Sequence, residues 1–290
     1  MGQDTKRLKI LITGGNGFIG TNLIEELLKE GHEVHSLDNL STGYRENEIK
    51  GCTYHYEDIQ SIPFLNELRG FNLCFHLAGL SRIQPSFENP WETFRVNTEG
   101  TKMVVEWCRK NNVKIVYAGS SSKHHDPYQS PYACYKYIGE EICKMYRKVY
   151  KMEIEIARFY NVYGPREVID GDWAAVIGIW RRQIRDGIPL TIVGDGEQRR
   201  DFTHVNDIVS ALIKIGFGEY HHEDAWELGT GTNYSINEVV QMFIERYNCE
   251  TLYIPDQPGN YRKTLRENDD TLERLDWQPK DRLKDYILSL

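Results

Sequence analysis

Tyr132 and Lys136 are the side chains of this chain best suited to acid–base work on a hydroxyl. Four apart, they share one face of a helix. A phenol has a free pKa of ~10 and is a poor base at neutral pH. A neighbouring ammonium favours the phenolate and lowers that pKa. The pair would then take a proton from an alcohol while a cationic acceptor takes the hydride from the same carbon. Spacing alone is a weak signal, since 18 tyrosines and 16 lysines in 290 residues yield about one such pair by chance. Position carries the weight: the serine run Ser120-Ser121-Ser122 lies just upstream, where its hydroxyls would hydrogen-bond the reacting oxygen.

The hydride acceptor is suggested near the N-terminus. Gly14, Gly17 and Gly20 are spaced GxxGxxG in Thr13-Gly14-Gly15-Asn16-Gly17-Phe18-Ile19-Gly20, after an apolar strand and at the start of a helix. Such a turn gives a bare backbone that a pyrophosphate can approach, and a helix N-terminus whose unpaired N–H groups and dipole favour phosphate. Asp38, 18 residues after Gly20, ends the next apolar run. A carboxylate there accepts from ribose hydroxyls and repels a 2′-phosphate, which favours NAD over NADP.

The elements that must position these groups alternate. Apolar runs predict strands over 8–13, 34–37, 52–56, 71–77, 113–118 and 154–159. Helical periodicity predicts helices over 17–29, about 91–110 and 131–150, the last carrying Ile138, Ile142, Met145 and Val149. Alternation at this spacing implies right-handed crossovers and a parallel, doubly wound α/β sheet that binds ligands at the carboxyl ends of its strands. From about Asn161 the rhythm breaks: helices over 173–187, 205–215, 235–246 and 269–275, with one short strand over 190–193, suggest a smaller mixed lobe over that edge. The division expected is 1–160 for the dinucleotide and 161–290 for the substrate, with segments free to cross.

The net charge of −8 disfavours nucleic acid or an anionic membrane as partner. No apolar run is long enough to span a bilayer. The start, Met1 to Arg7, lacks a signal peptide's apolar stretch, so a cytoplasmic protein is expected. Six cysteines without a CxxC pair read as free thiols, with no disulfide and no metal site.

Together these segments resemble the extended short-chain dehydrogenase/reductase family, in the NAD-dependent epimerase/dehydratase branch acting on nucleotide sugars. The resemblance spans nearly the whole chain: TGGNGFIG at 13–20, DNLSTG at 38–43, HLAGL at 76–80, SPYACYK at 130–136, RFYNVYGPR at 158–166 and GDGEQRRDFTHV at 194–205. It implies a Rossmann fold, bound NAD and a homodimer built on the helices near 91–110 and 131–150. It further implies that Ser120, Tyr132 and Lys136 are catalytic. Phe18, Ile19, Asn39, Asp58, Ile59, Leu77, Ala78, Gly79, Asn97 and Tyr160 would join the glycines and Asp38 along the cofactor. Ser81, Ser121, Asn161, Ala175, Val176, Trp180 and Arg200 would hold a UDP-sugar, with Asn161 and Arg200 on its diphosphate.

Members of this branch share oxidation at C4 and differ in the fate of the resulting ketone. In dehydratases and decarboxylases of the branch an acid follows the strand-end serine; here Ser121 and Ser122 stand there. The resemblance therefore implies C4 epimerisation of a UDP-hexose through a transient ketone, most like UDP-glucose or UDP-N-acetylglucosamine 4-epimerases. A dehydratase, a decarboxylase, a 4-ketoreductase or a non-catalytic dinucleotide module are the alternatives. Two departures stand out. His124-His125 replaces the usual Tyr-Gly in a short loop, which reads as solvated, and Gln257 and Asn260 replace residues that help hold the diphosphate or ribose, with Arg199 or Arg262 as substitutes. Thr264 falls where a small residue would admit an N-acetyl group.

Overall fold

The computed structural model describes residues 7–290; the expectation for the N-terminal segment falls mostly on Met1–Lys6, outside the described residues. The strands are β1 (Lys9–Thr13), β2 (Glu33–Leu37), β3 (Thr53–His55), β4 (Leu73–His76), β5 (Lys114–Ser120), β6 (Ile154–Phe159), β7 (Asn161–Tyr163), β8 (Leu190–Val193), β9 (Arg199–His204), β10 (Trp226–Leu228), β11 (Asn233–Ser235) and β12 (Thr251–Ile254). The helices are α1 (Phe18–Lys29), α2 (Ile83–Glu88), α3 (Pro90–Phe94), α4 (Thr101–Asn111), α5 (Pro131–Tyr150), α6 (Val176–Arg185), α7 (Val205–Phe217), α8 (Ile236–Tyr247), α9 (Asp270–Leu275) and α10 (Leu283–Ser289).

Seven strands form one parallel sheet in the order β3-β2-β1-β4-β5-β6-β10. Its reversal of strand order between β1 and β4 makes the crevice in which doubly wound sheets bind ligands. Alternation along the strands divides the core. Leu11, Cys74, Ile115 and Ile156 face Val104, Cys108, Cys143 and Tyr146 of α4 and α5. Ile10, Ile12, Phe75 and Val116 face Leu23, Ile24 and Leu27 of α1 and Ile208 and Leu212 of α7. Buried on both faces, β1, β4 and β5 carry near-continuous apolar runs, which makes them legible in the sequence. The smaller lobe holds the sheet β11-β9-β7, the pair β12-β8, and a separate core around Trp180, Leu190, Phe202, Phe243 and Ile287.

Several expectations are corrected. The helix over about 91–110 is α3 and α4 joined by a π-helical turn at Arg95–Gly100. Trp173–Ala175 are not helical: Ala175 is extended, and α6 begins at Val176. In α5 the buried face is Ala133, Gly139, Glu140, Cys143 and Tyr146; Met145 and Val149 are exposed. β7, β9, β10, β11, β12 and α10 were not anticipated, and β10 crosses back to pair with β6. No helix among the described residues is long and apolar enough to cross a membrane.

Candidate active site

A cavity of about 670 Å³ follows the carboxyl edge of the main sheet and continues beneath the smaller lobe. At its first end Gly14 has φ +74°, and a Cβ there would stand 2.7 Å from the backbone nitrogen of Ala78. A Cβ on Gly20 would stand 2.2 Å from the Gly14 carbonyl oxygen, so the turn and α1 pack as closely as glycine permits. The α1 N-terminus, with Gly17, Phe18 and Ile19 in the cavity wall, has no side-chain cap and no acid in its first turn. Its N–H groups and dipole are left for an anion.

Asp38 lines the same end and accepts from the backbone N–H groups of Asn16 (3.0 Å) and Leu40 (2.8 Å). Burial pushes its carboxyl up, and those two bonds act against the shift. A carboxylate offers about four acceptor sites, so two remain for hydroxyl donors. Asn39, Asp58 and Ile59 lie alongside; Asp58 accepts from both Arg95 Nη groups at 3.1 Å and from Asn39. These features fit the two phosphates and the ribose of a dinucleotide. Leu77, Ala78 and Gly79 form the next stretch of wall. Asn97 lies just behind this stretch: its carboxamide donates to the Leu80 carbonyl (2.9 Å) and accepts from the Leu80 N–H (2.8 Å). It braces the 77–80 loop from behind.

Ser120, Ser121, Tyr132 and Lys136 all line the middle of the cavity. Ser130 caps α5 by accepting from the Ala133 N–H (3.1 Å), and Pro131 occupies the first turn, which fixes where Tyr132 emerges. Tyr132 Oη donates to Ser120 Oγ over 3.1 Å. Lys136 Nζ donates to the Ala118 carbonyl. Burial pushes the Tyr132 phenol up, with Ser120 and Arg82 acting against it, and burial lowers Lys136 to about 8.

Sequence reasoning missed the support beneath this centre. Glu140, one turn after Lys136, is buried under the end of β5, and a Cβ on Gly119 would approach its Oε1 to 2.8 Å. It accepts from Arg158 Nη2 (2.8 Å), whose Nη1 reaches Glu227 Oε1 (2.8 Å) and Asp224 Oδ2 (2.7 Å). Burial alone would lower Arg158, but these carboxylates hold it above its ordinary value. Tyr160, in the cavity wall, donates its hydroxyl to Glu227 Oε2 (2.9 Å). The histidine loop is not simply solvated: His124 Nε2 contacts Glu227 Oε1 at 3.0 Å, and the His125 ring stacks on Tyr261 at 4.0 Å.

The Glu227 contact raises His124 above its ordinary value despite burial. A raised histidine contributes stability that is complete below the unfolded pKa of ~6.5 and is lost as pH rises through the folded one. The melting-temperature advantage of the wild type over His124→Gln is therefore expected to be larger at pH ~6 than at pH ~9. Thermal melts at the two values check this, and a gap independent of pH would refute the tie.

On the smaller-lobe side, Ser81, Ala175 and Val176 line the cavity, as does Trp180, which is fully buried and donates Nε1 to the Thr191 carbonyl (2.8 Å). Asn161 donates to Thr264 Oγ1 (3.1 Å). Arg200 donates to the Arg199 carbonyl (2.9 Å) and to Asn260 Oδ1 (2.6 Å), forms no ion pair among the described residues, and is lowered by burial to about 10. Neither proposed substitute reaches this wall: Arg262 is exposed and paired with Asp195 (2.8 Å), and Arg199 is bound to Asn233 and Glu238. Arg82, Phe159 and Tyr261 also line the cavity and were not anticipated.

The strand order, the glycine turn against an uncapped helix, and the Ser/Tyr/Lys cluster at the sheet's edge define a dinucleotide-binding protein of the extended short-chain dehydrogenase/reductase class. Within that class, residues 10–218 match the model of the NAD dependent epimerase/dehydratase family, and the chain belongs to this family. It is 31% identical to a putative UDP-glucose 4-epimerase of Methanocaldococcus jannaschii over 96% of this chain and 95% of that one. It is 27% identical to UDP-glucuronic acid decarboxylase 1 of Arabidopsis thaliana over 99% of this chain and 70% of that one. The UDP-glucose 4-epimerase of Thermotoga maritima, solved with UDP-glucose, superposes with a TM-score of 0.90 at 27% identity, over 97% of this chain and 96% of that one. The chain is thus a member of an NAD-dependent family, and its relatives include both epimerases and decarboxylases.

Proposed function

We propose that this protein inverts C4 of a UDP-hexose through a transient 4-keto sugar. The observation that carries the reading is the Tyr132–Ser120 hydroxyl pair, 3.1 Å apart, at the junction between the dinucleotide end and the smaller lobe. Residues 1–160 hold the dinucleotide and 161–290 the nucleotide sugar, with α7 and β10 returning to the first sheet.

Bound NAD supplies a hydride acceptor and, as NAD+, a positive charge that opposes the upward push of burial on Tyr132. Tyr132 takes the proton of the C4 hydroxyl and returns it to the oxygen at the end of the cycle. Ser120 Oγ, held by the Ser122 N–H (3.2 Å), is placed to hydrogen-bond the same oxygen. Arg200 offers two-pronged donation to a diphosphate. No carboxylate follows Ser120: Ser121 and Ser122 fill that wall. Glu167, elsewhere in the lining, is held by Arg181 and Tyr286, both at 3.0 Å. Elimination and decarboxylation therefore lack an acid beside Ser120, and return of the hydride to the other face is what these residues favour. The exposed Met145 and Val149 on α5 and Met103 on α4 support a homodimer through those helices.

The test is to incubate the purified protein with UDP-glucose, UDP-N-acetylglucosamine and UDP-glucuronate and follow the sugars by NMR. A C4 epimer with no net NADH is expected; loss of water or carbon dioxide, or accumulating NADH, would refute the reading.

A further inference from the structure

The cavity holds two arginines without a carboxylate partner. Arg200 is explained by a diphosphate. Arg82 is not. It leaves the loop after β4, lines the cavity beside Ser81, and donates Nε to the Trp173 carbonyl (2.9 Å) and Nη1 to the Ser81 carbonyl (3.1 Å). Two backbone oxygens thus fix the plane of the guanidinium, while Nη2 has no hydrogen bond among the described residues. An arginine keeps its charge at any working pH, and burial pushes this one down from its ordinary value, with Tyr132 and Glu167 acting against the shift. No carboxylate of the wall forms an ion pair with it among the described residues: Glu167 adds its charge at a distance but is hydrogen-bonded to Arg181 and Tyr286, and neither Asp172 nor Glu88 bonds to it.

Arg82 and Tyr132 line the same cavity, and the charge lowers the phenol's pKa. With the C4 hydroxyl at Tyr132, Arg82 would meet a substituent on a carbon flanking C4. A fixed, half-buried fork with free donors recognises a planar anion by paired hydrogen bonds. A neutral hydroxymethyl group would offer that fork no charge to match.

We propose that Arg82 determines specificity for a carboxylate carried by the sugar on a carbon flanking C4, so that an acidic UDP-sugar is preferred over a neutral UDP-hexose. This rests on the reading of Tyr132 as the group that meets the C4 hydroxyl. The carboxylate is either C6 of a uronate, attached at C5, or the acid of an ether substituent on C3; both present the same anion to the same fork.

The experiment measures kcat/KM and calorimetric binding on the NAD-loaded protein with UDP-glucose, UDP-glucuronate, UDP-sugar bearing a C3 O-lactyl group, and UDP alone. One of the two acidic sugars is expected to exceed UDP-glucose by roughly 10- to 100-fold, the range of a charge-assisted hydrogen bond, and which one does so identifies the source. Arg82→Met should collapse that ratio, while Arg82→Lys keeps the charge without the fork and should retain part of it. Thermal melts establish that both variants are folded. A ratio unchanged in Arg82→Met overturns the proposal. So does an equal loss of affinity for UDP alone, since the guanidinium would then hold the diphosphate. A kept preference for the acid with carbon dioxide released sinks epimerisation and leaves Arg82 standing. Epimer formed with no such preference sinks Arg82 and leaves epimerisation standing.

Discussion

Tyr132→Phe is expected to lower kcat by roughly 10²- to 10⁴-fold, the range lost when a positioned acid–base group is removed, while the protein stays folded and keeps its NAD. The substitution deletes one oxygen from a ring whose hydroxyl has Ser120 Oγ as its partner, 3.1 Å away. It opens no cavity, and Ser120 keeps the Ser122 N–H as a donor, so a large stability change is not expected. The measurement is a steady-state rate with the substrate found in the NMR panel, together with the NAD released from denatured protein. Near-wild-type turnover would remove Tyr132 as the base and with it the proposed mechanism. Loss of activity accompanied by loss of NAD would show that the residue serves the fold of the pocket instead.

Glu140→Ala is expected to be the most destabilising single change at the site without touching substrate. It removes the carboxylate that meets Arg158 at 2.8 Å in a place where neither side chain reaches water. Asp224 and Glu227 remain at Nη1, at 2.7 and 2.8 Å, and Asp224 also meets Nη2 (3.0 Å), but Nε loses its acceptor. Removing one partner of a buried ion pair costs about 3–5 kcal/mol. For a chain of this size that is a fall in melting temperature of roughly 6–20 °C. Glu140→Gln keeps the shape and one acceptor, so it should fall between. Thermal unfolding of all three proteins decides it; a shift of a degree or two for the alanine variant would mean that Asp224 and Glu227 suffice for Arg158.

The network also explains a limit of the sequence. Nothing local in a chain says that Glu140, Arg158 and Glu227, charged residues of α5, β6 and β10, will meet in the interior. Asp201 is a second case. It sits fully buried in β9 and accepts from the N–H groups of Thr230 (2.8 Å), Gly231 (3.0 Å) and Arg266 (3.0 Å). With Arg199, Arg200 and Asp201 in succession, β9 lacks the apolar run that announces a buried strand. β7, β10 and β11 have only three residues each, too short for any periodicity to register. On α5 the apolar stripe turns only partly inward, with Ile142 against the core and Met145 and Val149 exposed, since the inward face uses Ala133, Gly139 and Cys143, small residues that let the helix approach the sheet.

What the chain determined by itself is everything set by short-range pattern. Runs that are apolar on both faces made β1, β4 and β5, shorter or interrupted apolar runs made β2, β3 and β6, the glycine spacing made the turn before α1, and a serine followed by proline made the start of α5. Those local devices put Asp38, Ser120, Tyr132 and Lys136 at one sheet edge, because parallel strands joined by right-handed crossovers leave no other arrangement. What only the tertiary structure decided is which charges are paired and which are not. Arg199 and Arg262, expected as ligand groups, are bound to neighbouring side chains, whereas Arg82 and Arg200 face the cavity with no carboxylate of their own. Whether an arginine is a structural cation or a binding group depends on where carboxylates from distant segments come to rest, and that is fixed by packing, not by spacing along the chain.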